Sequence, residues 1–284
     1  MKKNKSFKIY GVLGYPVKHS LSPLMHNAAL RRFKIEAEYK LFEKSPRELK
    51  SFLRSLPQEN VHGLNVTVPH KENVIKFLDT VSSEARLIGA VNTVQIRSGK
   101  LLGFNTDGAG FIKHLTRDLK FNPKKKNVVI IGAGGAAKAV AVFLAKSGIR
   151  QLDIFDIDKN KVSQLVTHLK INFPKVNFVQ AKTASELKIS ECDLLINATP
   201  LGMKSLDILP ADVRLIRQGT LVYDLVYNPK QTKFLKIAKQ KGARVSNGLG
   251  MLLYQGALSF KYFTGKNAPV EVMRRALNRG VNRL

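Results

Sequence analysis

A wholly apolar tetrad, Val128-Val129-Ile130-Ile131, runs straight into Gly132-Ala133-Gly134-Gly135-Ala136-Ala137 near the middle of this chain. A strand with no polar face belongs where both faces are covered, as in the centre of a parallel sheet. The glycines allow a tight turn and let the backbone approach a ligand. A helix is expected from Gly135 to about Lys146, ended by Gly148 as a C-terminal cap. Its first N–H groups and positive dipole end would face an anion. Ala137 stands at the third fingerprint position, where Gly or Ala is usual. Strand, glycine turn and helix in this order point to the pyrophosphate of a dinucleotide. Glycines of this kind also serve close strand–helix packing. Further strands are expected at 152–155, 177–180, 194–197, 221–225 and 243–246, with helices between most of them. That alternation predicts a doubly wound α/β unit.

The part before it alternates strands and helices too. Strands are expected at 8–14, 39–43 and 61–68. Ser22-Pro23 reads as the N-cap and first position of a helix, and Ser45-Pro46-Arg47-Glu48 as a capping box. A short helix is expected at 82–88. Ser98-Gly99 between two extended runs signals a two-residue hairpin. Within the 61–68 strand, Asn65 and Thr67 would share one face, Val66 and Val68 the other. Pro69 stops the strand and presets a helical first turn. Lys71 would then lie in that turn, where the helix dipole is unfavourable to a cation. A lysine in such a place, beside polar groups at a strand end, suits chemistry, although a solvated surface lysine has the same pattern. The segment from 250 onward is expected to be helical.

Composition narrows the classes. At 284 residues the chain can form one large domain or two ordinary ones. No apolar run approaches the roughly 18 residues of a membrane span. The basic start Met1-Lys2-Lys3-Asn4-Lys5 resembles a signal peptide's opening, but Gly11, Gly14 and Pro16 interrupt the stretch behind it. Cys192 is the single cysteine, which fits a reducing, cytoplasmic setting. The net charge of +28 reflects 20 acidic residues against 48 Lys and Arg. Such a balance raises nucleic acid as a partner. The charge is nonetheless spread along the chain, and its one dense cluster, Lys124-Lys125-Lys126, has no aromatic-rich motif beside it. Diffuse positive charge also steers anionic substrates. The six histidines show no metal spacing, so no metal is expected.

Six segments in order carry a resemblance that covers nearly the whole chain. They are Ser20-Leu21-Ser22-Pro23, Asn65-Val66-Thr67-Val68-Pro69-His70-Lys71, Gly89-Ala90-Val91-Asn92-Thr93, Asn105-Thr106-Asp107-Gly108, the glycine turn, and Asn247-Gly248-Leu249-Gly250-Met251 followed by Gln255. The second resembles Asn-x-Thr-x-Pro-x-Lys, the catalytic signature of the shikimate dehydrogenase family. The resemblance implies a substrate-binding domain at 1–107 plus 250–284 and a dinucleotide-binding domain of Rossmann type at 108–249, with a cleft between them. It implies reversible NAD(P)H-linked reduction of 3-dehydroshikimate to shikimate in aromatic biosynthesis, by a monomer or homodimer that binds neither nucleic acid nor membrane.

The resemblance also implies roles. Lys71 and Asp107 form the catalytic pair; a positioned lysine can donate the proton as hydride reaches a ketone, and take it back in reverse. Ser20 and Ser22 meet the substrate carboxylate. Asn65, Thr67, Asn92 and Gln255 meet substrate or ring hydroxyls, and Tyr227 faces the substrate. Gly132, Ala133, Gly134, Gly135 and Ala136 hold the pyrophosphate. Asn197, Ala198, Thr199 and Gly248 lie near the nicotinamide, and Leu225 contacts the cofactor. NADP-using members carry an Asn-Arg-Thr sequence after the second strand, its Arg clamping the 2′-phosphate. Here Asp156, Ile157 and Asp158 stand instead. An acid at a strand end normally accepts from an unphosphorylated ribose, which argues toward NAD; as a bland alternative Asp156 caps the next helix. Lys159 and Lys161 pull toward NADP. Quinate-using relatives often replace the second serine of the Ser-x-Ser pair by threonine, so two serines imply shikimate over quinate. An NAD-dependent quinate/shikimate dehydrogenase is the alternative, and a basic nucleic-acid-binding protein on a Rossmann scaffold the distant one.

Overall fold

The computed structural model describes residues 7–282, so the basic start at 1–5 lies outside the described residues. The chain divides into two compact units. The first runs up to Gly110 and resumes at Leu252; the second is Phe111–Met251.

The first unit begins with β1 (Lys8–Gly14), α1 (Ser22–Arg32), β2 (Ala37–Glu43), α2 (Leu49–Ser55) and β3 (Val61–Val66). It continues with β4 (Thr80–Val81), α3 (Ser83–Ile88), β5 (Thr93–Arg97), β6 (Lys100–Phe104) and α4 (Asp107–Lys113). Its mixed sheet has the order β2-β1-β3-β5-β6-β4. β1 runs parallel to β2 and β3, whereas β3–β5 and β5–β6 are antiparallel. Ser98 (φ 51°) and Gly99 (φ 76°) make the β5–β6 hairpin; both central residues take the positive φ a tight turn of this hand requires. One face of the sheet packs on Leu53, Leu56 and Val74 through Leu13, Leu64, Val66 and Val94.

The second unit contains β7 (Asn127–Ile131), α5 (Gly135–Lys146), β8 (Gln151–Phe155), α6 (Lys159–Asn172), β9 (Asn177–Gln180) and β10 (Leu194–Asn197). β11 (Leu221–Asp224), α7 (Lys233–Gln240) and β12 (Arg244–Ser246) complete its sheet, in the order β12-β11-β10-β7-β8-β9. Every pairing is parallel. Val128, Val129, Ile130 and Ile131 are all buried, as a strand covered on both faces must be. Strand order reverses between β7 and β10, the position where ligands bind in doubly wound sheets. The chain then closes with α8 (Leu249–Thr264) and α9 (Val270–Val281).

Three local expectations need correction. The strand expected at 61–68 is assigned only to Val66. Backbone bonds from Thr67 to Leu13 (2.8 Å) and from Tyr15 to Val68 (3.0 Å) carry the extended chain past it, and Val68 is 67% exposed rather than buried beside Val66. After Pro69 no α-helix forms: a lone i→i+4 bond from the Val74 N–H to the His70 carbonyl (2.8 Å) closes one turn around Lys71. The His70 N–H donates to the Thr67 carbonyl (2.9 Å), and only a 3₁₀ turn at Asn73–Phe77 follows. Lys71 therefore occupies a turn and opposes no helix dipole. Ser22 is not the N-cap of α1. Leu21 holds that place in a helical conformation, and Ser22 is the first helical residue, its N–H donating to Ser20 Oγ (3.3 Å). The short helix expected at 82–88 is α3, with Ser82 just before it as N-cap, accepting from the Ala85 N–H (3.2 Å).

α4 and α8 cross where Gly110 faces Gln255. A Cβ built on Gly110 would lie 2.5 Å from the Gln255 nitrogen and 2.9 Å from its Cα. The obstacle is backbone, so no side chain can turn aside. Gly110→Ala is expected to push α4 and α8 apart and destabilise the chain by about 1–3 kcal/mol, read as a lower urea midpoint. An unchanged midpoint would mean that the helices separate freely.

Candidate active site

Lys71 reaches from its turn to the first residue of α4. Its Nζ lies 2.6 Å from Asp107 Oδ2, with the side chains 15% and 6% exposed. A lysine and a carboxylate this far out of water require partners for their remaining atoms. Asp107 Oδ1 accepts from Asn92 Nδ2 at 2.8 Å, and the Asp107 N–H donates to Asn105 Oδ1 at 3.0 Å. Asn92 is fixed in turn. Its Oδ1 accepts the Thr106 N–H (2.7 Å), and its Nδ2 also lies 3.2 Å from Gln255 Oε1.

A buried hydroxyl cluster extends this arrangement to Asn65, at the end of β3 and opposite Thr93 of β5. Asn65 Nδ2 donates to Ser259 Oγ at 2.7 Å, and Ser259 Oγ is 2.8 Å from Thr93 Oγ1 and 3.1 Å from Thr106 Oγ1. The Tyr39 phenol donates to Asn65 Oδ1 at 2.8 Å and also meets the Ser22 hydroxyl. Tyr39 is stacked on His26, ring centroids 4.2 Å apart. Burial raises the Tyr39 pKa, partly offset by Ser22, and pushes His26 down to about 3. The imidazole is thus a neutral wall beside a neutral phenol. Polar contacts run unbroken from Ser22 through Tyr39, Asn65, Ser259, Thr106 and Asn92 to Asp107 and Lys71. Ser20 touches this chain through Ser22. The half-buried Thr67 hydroxyl makes no hydrogen bond among the described residues, although its methyl packs on Gly14, where a Cβ would meet it at 2.5 Å.

In the second unit the expected glycine turn follows β7. Gly132 has φ +114°, and a Cβ there would lie 2.9 Å from the Ala198 carbonyl. The 132–135 and 197–199 turns therefore approach at the point of strand reversal. Around Gly134 no atom lies within 4 Å of an added Cβ, which leaves the open approach to the α5 N-terminus that a pyrophosphate needs. Asp156 binds this turn: its Oδ2 accepts the Ala133 N–H (2.7 Å) and its Oδ1 the Asp158 N–H (2.9 Å). It does not cap α6. Asp158 does so by accepting the Lys161 N–H (3.2 Å), with Lys161 Nζ 3.4 Å from its other oxygen. Ile157 is 92% exposed.

Asn197, Leu225 and Gly248 come together around Asp224, a residue to which the sequence pattern assigns no role. Asp224 is fully buried, yet it accepts from Asn197 Nδ2 (2.9 Å), the Val226 N–H (3.0 Å) and the Thr232 hydroxyl (2.7 Å). Burial pushes its pKa up to about 6, against those three donors. Asn197 Oδ1 accepts from the Thr199 hydroxyl (2.6 Å), and the Leu225 N–H donates to the Asn197 carbonyl (2.8 Å). Gly248 admits the Leu225 carbonyl so closely that a Cβ would sit 2.1 Å from it. Tyr227 is half-buried, and burial raises its pKa. Sequence reasoning also passed over Tyr39, Thr93, Thr106 and Ser259. Thr93 and Thr106 lie inside quoted segments. Ser259 carried a helical signal, standing one turn beyond Gln255 on α8.

A parallel sheet of this order with a glycine-rich turn at its switch point, in a chain that also holds a screened lysine–carboxylate pair, defines a dinucleotide-dependent oxidoreductase. Residues 12–94 match the shikimate dehydrogenase substrate binding domain, 114–206 the shikimate/quinate 5-dehydrogenase family, and 248–277 the shikimate 5′-dehydrogenase C-terminal domain. A shikimate dehydrogenase (NADP+) of Desulforamulus reducens is 43% identical, over 98% of this chain and 97% of that one. A crystal structure of a shikimate dehydrogenase with NADP+ aligns with a TM-score of 0.90 at 38% identity, over 98% of this chain and 97% of the other. One from Listeria monocytogenes with shikimate and NAD aligns at 0.86 and 33% identity, over 98% of both. The chain belongs to the shikimate dehydrogenase family. It is a nicotinamide-dinucleotide-linked enzyme acting on a CH–OH group.

Ser259→Ala removes the shared partner of Asn65, Thr93 and Thr106 and leaves buried polar atoms unmet. It is expected to lower stability by about 1–3 kcal/mol and to raise the KM for shikimate as Asn65 loses its anchor. Chemical denaturation with steady-state kinetics checks both, and unchanged values would show the cluster to be slack.

Proposed function

We propose that Lys71 and Asp107 are the acid–base pair of a reversible, NAD(P)H-linked reduction of 3-dehydroshikimate to shikimate. The observation that carries this reading is the 2.6 Å pair, shielded from water and braced by Asn92. The unit formed by residues up to Gly110 and from Leu252 onward binds substrate. Ser20 and Ser22 lie at the start of α1, whose first N–H groups and hydroxyls suit a carboxylate. Thr67 has a hydroxyl to offer, while Asn65, Asn92 and Gln255 are already oriented by the buried cluster. Tyr227, which resembles the family's substrate-facing tyrosine, is assigned to the substrate as well. That second unit binds the dinucleotide, its pyrophosphate against Gly132–Ala136 and its nicotinamide end toward Asn197, Ala198, Thr199, Leu225 and Gly248. When bound, the nicotinamide supplies the hydride.

The protein's part is the proton. As the ketone carbon is reduced, charge gathers on its oxygen, and the Lys71 ammonium donates to it. Asp107 keeps the donor aimed, because one oxygen holds Nζ and the other is tied to Asn92. In the reverse direction Lys71, neutral after giving up a proton, takes it from the hydroxyl. Positioned proton transfer of this kind is worth about 10²–10⁴ in rate.

Cofactor choice turns on residues 156–158. The Asp156 carboxylate is occupied with backbone N–H groups, so it acts as a fixed nearby charge rather than a free ribose acceptor. Asp158 and Asp156 together disfavour a 2′-phosphate, and Ile157 offers no guanidinium to hold one. We read this as a shift toward NAD relative to the NADP-using members. The same acids are what an NAD-dependent quinate/shikimate dehydrogenase would need, but Ser20 and Ser22, both serine, favour shikimate. The enzyme works in the cytoplasm, as a monomer or homodimer.

Lys71→Ala is expected to lower kcat by about 10²–10⁴ with a much smaller change in KM. Near-normal turnover with a raised KM would make Lys71 a binding residue. Ile157→Arg, at an exposed position, is expected to raise kcat/KM with NADP relative to NAD by about tenfold through a charge-assisted phosphate contact. Parallel assays with both cofactors decide it, and an unmoved ratio means that this turn does not read the ribose.

A further inference from the structure

α1 and α9 pack side by side in the first unit. They touch at Gly280, where a Cβ would lie 2.4 Å from Leu24 Cδ1 and 3.3 Å from Leu21 Cδ2. Along the second half of α1 and most of α9 a groove of about 450 Å³ opens between them. Four arginines line it, Arg31 and Arg32 from α1 and Arg275 and Arg279 from α9, over a floor of Ala28, Val272 and Ala276. The spacings are those of one helical stripe on each side: 28, 31 and 32, and 272, 275, 276 and 279. The stripes face each other across the groove.

None of these four guanidinium groups has a hydrogen bond or an ion pair among the described residues. α1 carries no acid. Glu271, in the first turn of α9, is 3.4 Å from Arg274, outside the groove. At the end of α1, Lys266 Nζ sits 5.7 Å from the centre of the Phe33 ring, outside the groove lining. Arg31 and Arg32 do gain from the negative end of the α1 dipole. Arg279, in the last turn of α9, gains likewise from that helix's negative end; Arg275, one turn before it, has no such compensation, and the two repel each other. A general excess of basic residues would scatter charge over the surface. Here guanidinium forks converge on a concave floor of small side chains that leaves their N–H groups reachable. Each fork matches two phosphate oxygens. Several forks in one groove match linked phosphates better than a single ion.

We propose that this groove binds an oligophosphate, a run of linked phosphate groups either free or as the tail of a nucleotide, at a site separate from the dinucleotide turn. The charge concentrated there attracts polyvalent anions far more than chloride, so binding weakens as salt rises.

The test is titration calorimetry of the full chain saturated with NAD+, with inorganic tripolyphosphate as one probe and ATP as the other. One saturable site per chain is expected for tripolyphosphate. Arg31→Gln/Arg279→Gln is expected to weaken it by about tenfold or more, whereas Lys124→Gln/Lys125→Gln, which removes equal charge elsewhere, changes it less than about twofold. Shikimate turnover of both double variants should match the parent and so report intact folding; should the arginine variant lose turnover, Arg31→Lys/Arg279→Lys, which keeps charge and loses the forks, is read instead and must also bind more weakly. Equal affinity for ATP and tripolyphosphate assigns recognition to the phosphates, and tighter ATP binding that still needs the arginines adds the nucleoside. Equal weakening in the arginine and lysine variants, no saturable site, or affinity confined to a structured RNA overturns the proposal.

Discussion

A lysine ammonium held against an aspartate carboxylate with little water around either survives only if no other polar atom nearby is left wanting. The rest of the first unit can be understood from that requirement. Asp107 spends its second oxygen on Asn92, Asn92 spends its oxygen on the Thr106 backbone, and the hydroxyls of Thr93, Thr106 and Ser259 share protons among themselves. Hydroxyls suit this task because each both donates and accepts and can rotate to serve its neighbours. Such a cluster is rigid when complete and a liability when broken. Its members come from β3, β5, the segment before α4, and α8. The pair therefore depends on parts of the chain as much as 194 positions apart, the span of the Asn65–Ser259 bond.

The second unit solves a different problem with the same device. Asp156 and Asp224 each stand at or just beyond a strand end, and each spends its oxygens on backbone or side-chain donors of adjoining turns. A carboxylate is the strongest acceptor available for gathering N–H groups of an irregular segment. The turns after β8 and β11 and the glycine turn after β7 are thus shaped by buried or half-buried acids, in a chain whose overall charge is strongly basic.

Much of this was legible in the sequence. The apolar tetrad before the glycines marks a central parallel strand unambiguously, and Ser98-Gly99 marks the hairpin, because those residue types tolerate few other conformations. Lys71 and Asp107 were legible only through resemblance, since their contact spans 36 positions and no local pattern encodes it. Local reading failed where tertiary bonds overrode propensity. Pro69 was expected to start a helix, yet the chain around it is held by bonds to β1, and Ser22 was expected to cap a helix, yet its hydroxyl is engaged by Tyr39. Ser259 and Asp224 were missed because a small polar residue in an apolar stretch has the same appearance whether it is buried in a network or turned to solvent.

The first unit is interrupted by the whole of the second. A ribosome delivers β1 through β6 first and then makes residues 111–251 before α8 and α9 are complete. At about 5–20 residues per second that interval is roughly 7–30 s. The second unit is contiguous and can fold as it emerges. The first must wait, with Tyr10 lacking the Phe263 ring that stacks on it at 5.3 Å, His26 lacking Phe260, and Asn65 lacking Ser259. The lysine–carboxylate pair is therefore assembled early in sequence, but the cluster that braces it is completed last in time. A nascent chain released before α8 and α9 would carry a finished nucleotide-binding fold and an unfinished catalytic one.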